Sequence, residues 1–307
     1  MPPSLRGAAV VIGNFDGVHV GHQSLMQTLR HWAADLGGLP TLVITFEPHP
    51  QKRLQRGPVP ERITSVRSKA RWVAESGVDG LLILRFTRQL AAMPAAEFVR
   101  EILVDGLAVR AVLVGDNFRF GAGGQGECTL LHALGVQCGF EVCCLSLLEE
   151  QQQVVSSTRI RDLVKSGRLA EVAPLLGRTF EMEWRVSHGD KRGQRLGFPT
   201  ANLALTDRLH PPPGVYVVES RVQDHWLPAV ANLGHNPTFG NGSLHLEVHL
   251  LVPCGDLYRQ VMRVRFLHRL RDEIPFADSD SLRVQIGEDV RQARAFFHSR
   301  QRGGSQP

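Results

Sequence analysis

Gly13-Asn14-Phe15-Asp16-Gly17-Val18-His19-Val20-Gly21-His22-Gln23 is the stretch on which the first half of the chain is organised. It follows an apolar run, Ala8 to Ile12, that reads as a buried strand. It leads into Leu25, Met26, Leu29, Ala33 and Leu36, spaced to share one helix face. The pattern is strand, tight glycine-containing loop, helix. Such a junction suits a phosphate: glycine lets the chain approach closely, and a helix start offers free N–H groups and a partial positive charge. His19 and His22 stand at i and i+3, and share a face if the first turn is helical. Two imidazoles there can donate hydrogen bonds to phosphate oxygens and stabilise charge developing at an attacked phosphorus. The plainer alternative is a helix cap and a solvated loop histidine. The placement of both between a strand and a helix favours the functional reading.

Composition bounds what the chain can be. Its 307 residues suit two domains, and 43% hydrophobic with 21% charged residues is ordinary for globular proteins. No apolar run approaches the ~18 residues of a membrane helix, and no signal peptide is visible. The five cysteines form no Cys-x-x-Cys pair, which predicts free buried thiols in a reducing cytoplasm. A net charge of +5 suits polyphosphate substrates. Nucleic acid is disfavoured because the basic residues are scattered. The dense stretch Arg263 to Arg271 alternates with Val264, Phe266 and Leu267, as a strand with a solvated basic face does.

Along the first half, strand-like and helix-like segments alternate. Strands are expected at Thr41–Phe46, Leu81–Phe86, Ala111–Val114 and Glu141–Leu147, and helices at Val66–Ser76, Pro94–Val104 and Cys128–Leu134. This predicts a Rossmann-like parallel sheet covered on both faces, with ligands beyond the carboxyl ends of its strands. Three polar segments belong there besides the first loop. Thr45 to Pro50 carries two prolines that fix the chain. Gly115 to Gly121 offers Asn117 to a phosphate or ribose and Phe118 to an aromatic pocket, with further glycines after it. In Val155 to Arg161, Ser157 or Thr158 can cap a helix whose start, with Arg159 and Arg161, makes a second anion site. A short helix, Leu169–Leu176, follows, and the domain boundary is placed near Arg178 to Phe180, giving domains 1–179 and 180–307.

Beyond it, Val215–Val222, Leu227–Ala231, His245–Leu251 and Val261–Leu270 read as strands of an antiparallel sheet or small barrel. An amphipathic helix, about Ser281–Phe297, and a disordered tail from Arg302 complete the chain. Gly189, Gly193 and Gly197, at four-residue spacing with cations between them, make a phosphate-cradling loop that runs into Phe198-Pro199-Thr200-Ala201-Asn202. No Gly-Lys-Ser/Thr follows, so it is not a Walker A loop. The Thr200 hydroxyl is a hard oxygen suited to Mg²⁺. Strand alternation puts His245, Glu247 and His249 on one face.

Gly13 to His22 resembles the signature of the bacterial bifunctional riboflavin kinase/FMN adenylyltransferase (FAD synthetase) family, and His19-x-Gly21-His22 that of the wider nucleotidyltransferase superfamily. Gly115 to Gly121 and Val155 to Arg161 are similar to further segments of that family, and Gly189 to Asn202 to its riboflavin kinase segment. The resemblance covers Val11 to about Phe297. It implies two steps: ATP-dependent phosphorylation of riboflavin to FMN by the C-terminal barrel, and transfer of AMP from ATP to FMN by the N-terminal domain, giving FAD and pyrophosphate. It assigns Gly13, Asn14, Phe15, Asp16, Gly17, Asn117, Ser157 and Thr158 to ATP in the adenylyltransferase, with His19, His22 and Arg161 catalytic. It assigns Gly189, Gly193, Gly197, Phe198, Pro199, Thr200 and Asn202 to ATP in the kinase, Thr200 and Asn202 to Mg²⁺, and Glu247 as general base. Phe46 and Phe118 are assigned to the flavin. The implied partners are small molecules, with no nucleic acid and no membrane; self-association is left open.

Three places depart from the family. Asn236 replaces an arginine, Val252 an aspartate and Arg259 a glycine. They are expected to perturb flavin-side loops and assembly more than the phosphates. They also support an alternative in which the kinase half is impaired and serves as a flavin-binding platform. A non-catalytic flavin sensor is a further alternative, against which stand His19, His22, Arg161, Thr200 and Glu247.

Overall fold

The computed structural model describes all residues except 1, 55–56, 147, 151–152, 188–191, 206–207, 236–243 and 304–307. The chain divides into two compact units, Met1–Arg159 and Ile160–Pro307.

The first unit contains β1 (Ala9–Ile12), α1 (Val20–Asp35), β2 (Thr41–Glu47), α2 (Pro50–Leu54), α3 (Val66–Glu75) and β3 (Gly80–Arg85). These are followed by α4 (Arg88–Ala92), α5 (Ala95–Phe98), β4 (Ala111–Gly115), α6 (Cys128–Cys138), β5 (Glu141–Leu145) and the two-residue strands β6 (Glu149–Glu150) and β7 (Gln153–Val154). Five strands run parallel in the order β3-β2-β1-β4-β5. The period-two rule of strands sorts the core into two layers. Val10, Ile12, Leu42, Ile44, Val112 and Val114 face one side with Phe98 and Leu103. Ala9, Val11, Val43, Ala111 and Leu113 face the other, against Met26, Leu29 and Ala33 of α1 and Val73 of α3. The connections run to opposite sides from β1 and β4, so the crevice between these two strand ends is the switch point where such sheets bind ligands. The expected single helix at Pro94–Val104 is α5 continued by a π-type helix, Val99–Gly106.

The cysteines are not all free buried thiols. Cys128, at the start of α6, and Cys144, in β5, are paired as a disulfide with Cα atoms 6.4 Å apart. Cys138 and Cys254 are free but exposed, and Cys143 is free and half-buried.

α7 (Ser157–Lys165) and α8 (Leu169–Leu176) lead to β8 (Glu181–Ser187), α9 (Arg192–Arg195), β9 (Ala201–Ala204), β10 (Gly214–Val222) and β11 (His225–His235). β12 (Leu244–Leu250), β13 (Val261–Arg271) and α10 (Ser279–Gly303) follow. The strands close into an antiparallel barrel in the order β10-β11-β12-β9-β8-β13. The sequence showed four of these six strands. It missed β8 and β9, which flank the glycine-rich stretch. α10 continues through Arg302 to Gly303, where a disordered tail was expected.

Tyr216, Phe180 and Phe266 pack together in the barrel core, with Tyr216 meeting Phe266 edge-on at 5.2 Å between ring centres. α10 covers Val215, Val217 and Val230 on the outside through Val290, Ala293, Phe296 and Phe297. One buried ion pair ties it there. Arg271 of β13 meets Asp289 of α10 in a bidentate pair, Nε to Oδ1 at 2.9 Å and a terminal nitrogen to Oδ2 at 2.7 Å. Removing one partner of a buried pair leaves the other charge uncompensated. Asp289→Ala is therefore expected to lower the barrel's unfolding free energy by about 3 kcal/mol, seen as a lower urea midpoint for that transition.

Candidate active sites

The first site is built by the loop between β1 and α1. Two of its non-glycine residues take left-handed backbone angles, Phe15 at φ +47° and Val18 at φ +41°. For a β-branched residue this is a strained conformation, held only where the surroundings over-determine it. Here the Asp16 carboxylate does so. It accepts Ile63 N–H at 3.1 Å, Thr64 N–H at 3.0 Å and the Thr64 hydroxyl at 3.1 Å. Gly17 N–H donates to the same Thr64 oxygen at 3.1 Å. From the other side, Gln23 donates its amide to the Val18 carbonyl at 2.9 Å.

Both imidazoles sit where the helix begins. His19 is the N-cap of α1, and its Nδ1 accepts His22 N–H at 3.4 Å. In the neutral ring an accepting Nδ1 puts the proton on Nε2, which is then the donor atom. The two rings stack with centres 3.6 Å apart, and Phe15 meets His22 edge-on at 5.0 Å. His19 is 95% buried, since only 5% of its surface is exposed.

The start of α7 joins this loop. The Ser157 hydroxyl donates to the Asp16 carbonyl at 2.9 Å. A side chain at Gly21 would lie 3.7 Å from the Val155 carbonyl. Two helix N-termini thus meet at one loop, and neither carries an acidic residue in its first turn. The partial positive charge of a helix N-terminus favours an anion. The cap of α7 is Ser156, whose hydroxyl accepts Arg159 N–H at 3.2 Å, rather than Ser157 or Thr158. Arg159 donates to the carbonyls of Glu150 and Gln153, while Arg161 follows on the same helix, half-buried.

The other expected residues of this half separate into two groups. Asn117 is exposed in the loop after β4, at the switch point. Phe118 stacks on Phe120 with ring centres 5.6 Å apart, and Phe46 meets Phe86 edge-on at 5.8 Å. Phe46 and Phe118 both pack on the same core layer. Gly13 packs its backbone against the Phe15 ring. Phe15 and Asp16, expected at ATP, have 1% and 4% of their surfaces exposed. The Phe15 ring is core and the Asp16 carboxylate is turned to Ile63 and Thr64, so they shape the loop from behind. Thr64 and Lys69 also touch this loop, and no local sequence pattern marked either.

The second site lies on the outside of the barrel. Glu247 on β12 stands opposite Asn202 of β9 and Asn232 of β11, and Asn202 stands opposite Ser187 of β8. Directly opposed residues have Cβ atoms ~5 Å apart, so this row shares one face. The glycine-rich loop folds onto the same strand. Phe198 N–H donates to the Gly193 carbonyl at 2.7 Å. A Cβ on Gly193 would sit 2.4 Å from the Phe198 carbonyl and 3.2 Å from the Thr200 hydroxyl, so only glycine fits. Gly197, at φ +88°, makes the turn. His249 Nδ1 lies 2.9 Å from the exposed Pro199's carbonyl, and its ring meets Phe198 edge-on at 5.5 Å. Gly189 and Asn236 lie outside the described residues.

A family model described as FAD synthetase matches residues 1–159, and one described as riboflavin kinase matches residues 176–297. The bifunctional riboflavin kinase/FMN adenylyltransferase of Escherichia coli K12 is 41% identical over 293 residues, covering 95% of this chain and 93% of that protein. The protein so described from Pseudomonas fluorescens is 42% identical over 294 residues, covering 95% and 94%. A crystal structure described as a macrolide-efflux protein from Streptococcus pneumoniae has a TM-score of 0.81 at 30% identity, covering 94% of both chains. Among the described residues, no helix of this chain is long and apolar enough to cross a membrane.

One departure from the family is legible in the backbone. Arg259, expected from the resemblance to replace a glycine, sits at φ +65° between β12 and β13. Its N–H and carbonyl are both bonded, to the Val186 carbonyl at 3.0 Å and to the Arg185 guanidinium at 2.7 Å. The turn therefore keeps the glycine conformation without the glycine. Arg259→Gly is expected to stabilise the barrel by about 0.5 kcal/mol, strain relief less the added chain entropy. A raised denaturant midpoint would register it.

Proposed function

The chain belongs to the bacterial bifunctional riboflavin kinase/FMN adenylyltransferase family, and we propose which of its residues perform the two reactions. It phosphorylates riboflavin with ATP to give FMN, and it transfers AMP from ATP to FMN to give FAD and pyrophosphate. We place the working boundary between the halves at residues 179–180, after Gly177 ends α8 and before β8 begins.

In the first half, an FMN phosphate oxygen attacks the α-phosphorus of ATP. A P–O bond forms there as the bond to the β-phosphate oxygen breaks, and pyrophosphate leaves with the electron pair. His19 and His22 donate to the oxygens that gain charge, and the two helix N-termini favour the polyphosphate. Arg161 holds the departing pyrophosphate, and Ser157 and Thr158 present their helix start to it. Gly13, Asn14 and Gly17 shape the loop, with Phe15 and Asp16 behind it. Asn117, Phe118 and Phe46 border the nucleotide and flavin. The observation that carries this reading is that the start of α7 bonds, through Ser157, to the Asp16 carbonyl of the loop whose His19 caps α1, with no acidic residue in the first turn of either helix.

In the barrel, Glu247 takes the proton of the ribityl 5′-hydroxyl as its oxygen attacks the γ-phosphorus of ATP, and ADP leaves. Asn202 and Asn232 flank Glu247 and orient the reacting groups. The loop containing Gly189, Gly193, Gly197, Phe198 and Pro199 cradles the phosphates. Among the described residues there is no group of three His, Cys, Asp or Glu side chains able to hold a metal ion. Mg²⁺ is a hard cation that takes oxygen ligands. Thr200 and Asn202 offer neutral hard oxygens and would hold it. When bound it neutralises phosphate charge. We place both reactions in the cytoplasm, where ATP is available, with small molecules as the only required partners.

The two sites separate by mutation. His19→Ala with His22→Ala is expected to abolish FAD formation from supplied FMN while FMN formation persists. Glu247→Gln is expected to do the reverse, lowering FMN formation by roughly 10²- to 10⁴-fold. Chromatographic separation of riboflavin, FMN and FAD reads both. Survival of both reactions in either variant contradicts the assignment.

A further inference from the structure

Lys69, on α3, is buried behind the first loop, with 4% of its surface exposed. Its Nζ donates to the Asn14 carbonyl at 2.8 Å and lies 3.3 Å from both the Thr45 hydroxyl and Glu47 Oε1. The Thr45 hydroxyl donates to the same Asn14 carbonyl at 3.0 Å. Glu47 also pairs with Arg62. Burial pushes the Lys69 ammonium below its ordinary pKa, against the pull of Glu47 and Asp16. A buried ammonium is costly even when paired, and an apolar side chain of similar volume would often serve stability as well. The chain nonetheless places a cation here, on the carbonyl one residue before the left-handed Phe15.

That position has a mechanical consequence. In a trans peptide the carbonyl and the following N–H point opposite ways. With the Asn14 carbonyl aimed at Lys69, the Phe15 N–H must point away from it. Two donors therefore fix the peptide plane from which the strained segment starts. Phe15 then carries the constraint to the His22 ring through their edge contact.

We infer that Lys69 is a positioning residue for adenylyl transfer: by holding the Asn14 carbonyl it keeps the Phe15–His22 segment in the geometry that presents both imidazoles. This rests on the reading of His19 and His22 as transition-state donors. It asks nothing of the barrel, so FMN formation serves as an internal control.

The test is a double-mutant cycle in the full-length protein, following FAD formation from FMN and ATP, with Lys69→Met, His22→Ala and the pair. Lys69→Met is expected to lower kcat by roughly 10- to 100-fold, the size of leaving buried polar groups unsatisfied. KM for ATP should change by less than about threefold, because an effect on transition-state contacts alone appears in kcat. On the His22→Ala background, Lys69→Met should cost far less, since coupled residues are not additive. Unchanged kcat in Lys69→Met, or an equal loss on both backgrounds, overturns the role of Lys69 and leaves the site reading standing. No effect of His22→Ala by itself overturns the site reading. If thermal melting shows that Lys69→Met does not fold, Thr45→Val takes its place, since it removes the other donor to the same carbonyl. Its kcat should then fall severalfold with the same non-additivity, and an unchanged kcat overturns the inference.

Discussion

Three hydrogen bonds from Ile63 and Thr64 end on the Asp16 carboxylate, and the shape of the loop between β1 and α1 depends on them. Phe15 and Val18 each occupy backbone conformations that cost on the order of 1–3 kcal/mol. Hydrogen bonds to a charged group contribute about 1.5–3 kcal/mol each. Three such bonds, with the Thr64 hydroxyl accepting from Gly17, are enough to offset two strained residues. The strain is thus met by groups outside the loop, and the substrate is not required to supply it. The His19 and His22 rings stack with centres 3.6 Å apart on this loop.

The barrel uses a different device. Strand alternation sends Leu246 and Val248 inward to the core and leaves Glu247 on the outside, opposite Asn202. A carboxylate there needs no polar group inside the barrel. Its strand neighbours are Asn202 and Asn232, and in the adjoining loop Gly193 is what lets the Phe198 carbonyl and Thr200 hydroxyl come close. The helix that closes the barrel is fixed by Arg271 and Asp289 on the same outer surface.

Much of this was legible in the sequence, for identifiable reasons. α1 and α8 have clear helical spacing, and the parallel strands β1, β2 and β4 are continuous apolar runs, as strands buried on both faces must be. The histidine pair stands next to its glycines, so its setting was local. β8 was missed although Met182, Trp184 and Val186 alternate with Glu181, Glu183 and Arg185, because charged residues dilute its apolar signal. β9 has four residues, too few for a period. Thr64 and Lys69 were invisible because their partners in the loop lie 47 to 55 positions away. A helical lysine facing water and one facing a buried carbonyl have the same local sequence. The roles of Phe15 and Asp16 behind the loop had to be read from burial, since spacing alone gives no direction to a side chain.

A loop held from behind should be formed in the absence of substrate, and amide hydrogen exchange along Phe15–Gln23 tests that most directly. The Gly17 N–H, bonded to Thr64, and the Val18 N–H, bonded to the Phe15 carbonyl, should exchange slowly in the substrate-free protein, with protection close to that of β1 and β4. Fast exchange at both, slowing only when ATP is added, would mean that the nucleotide organises the loop, and would contradict a pre-formed site.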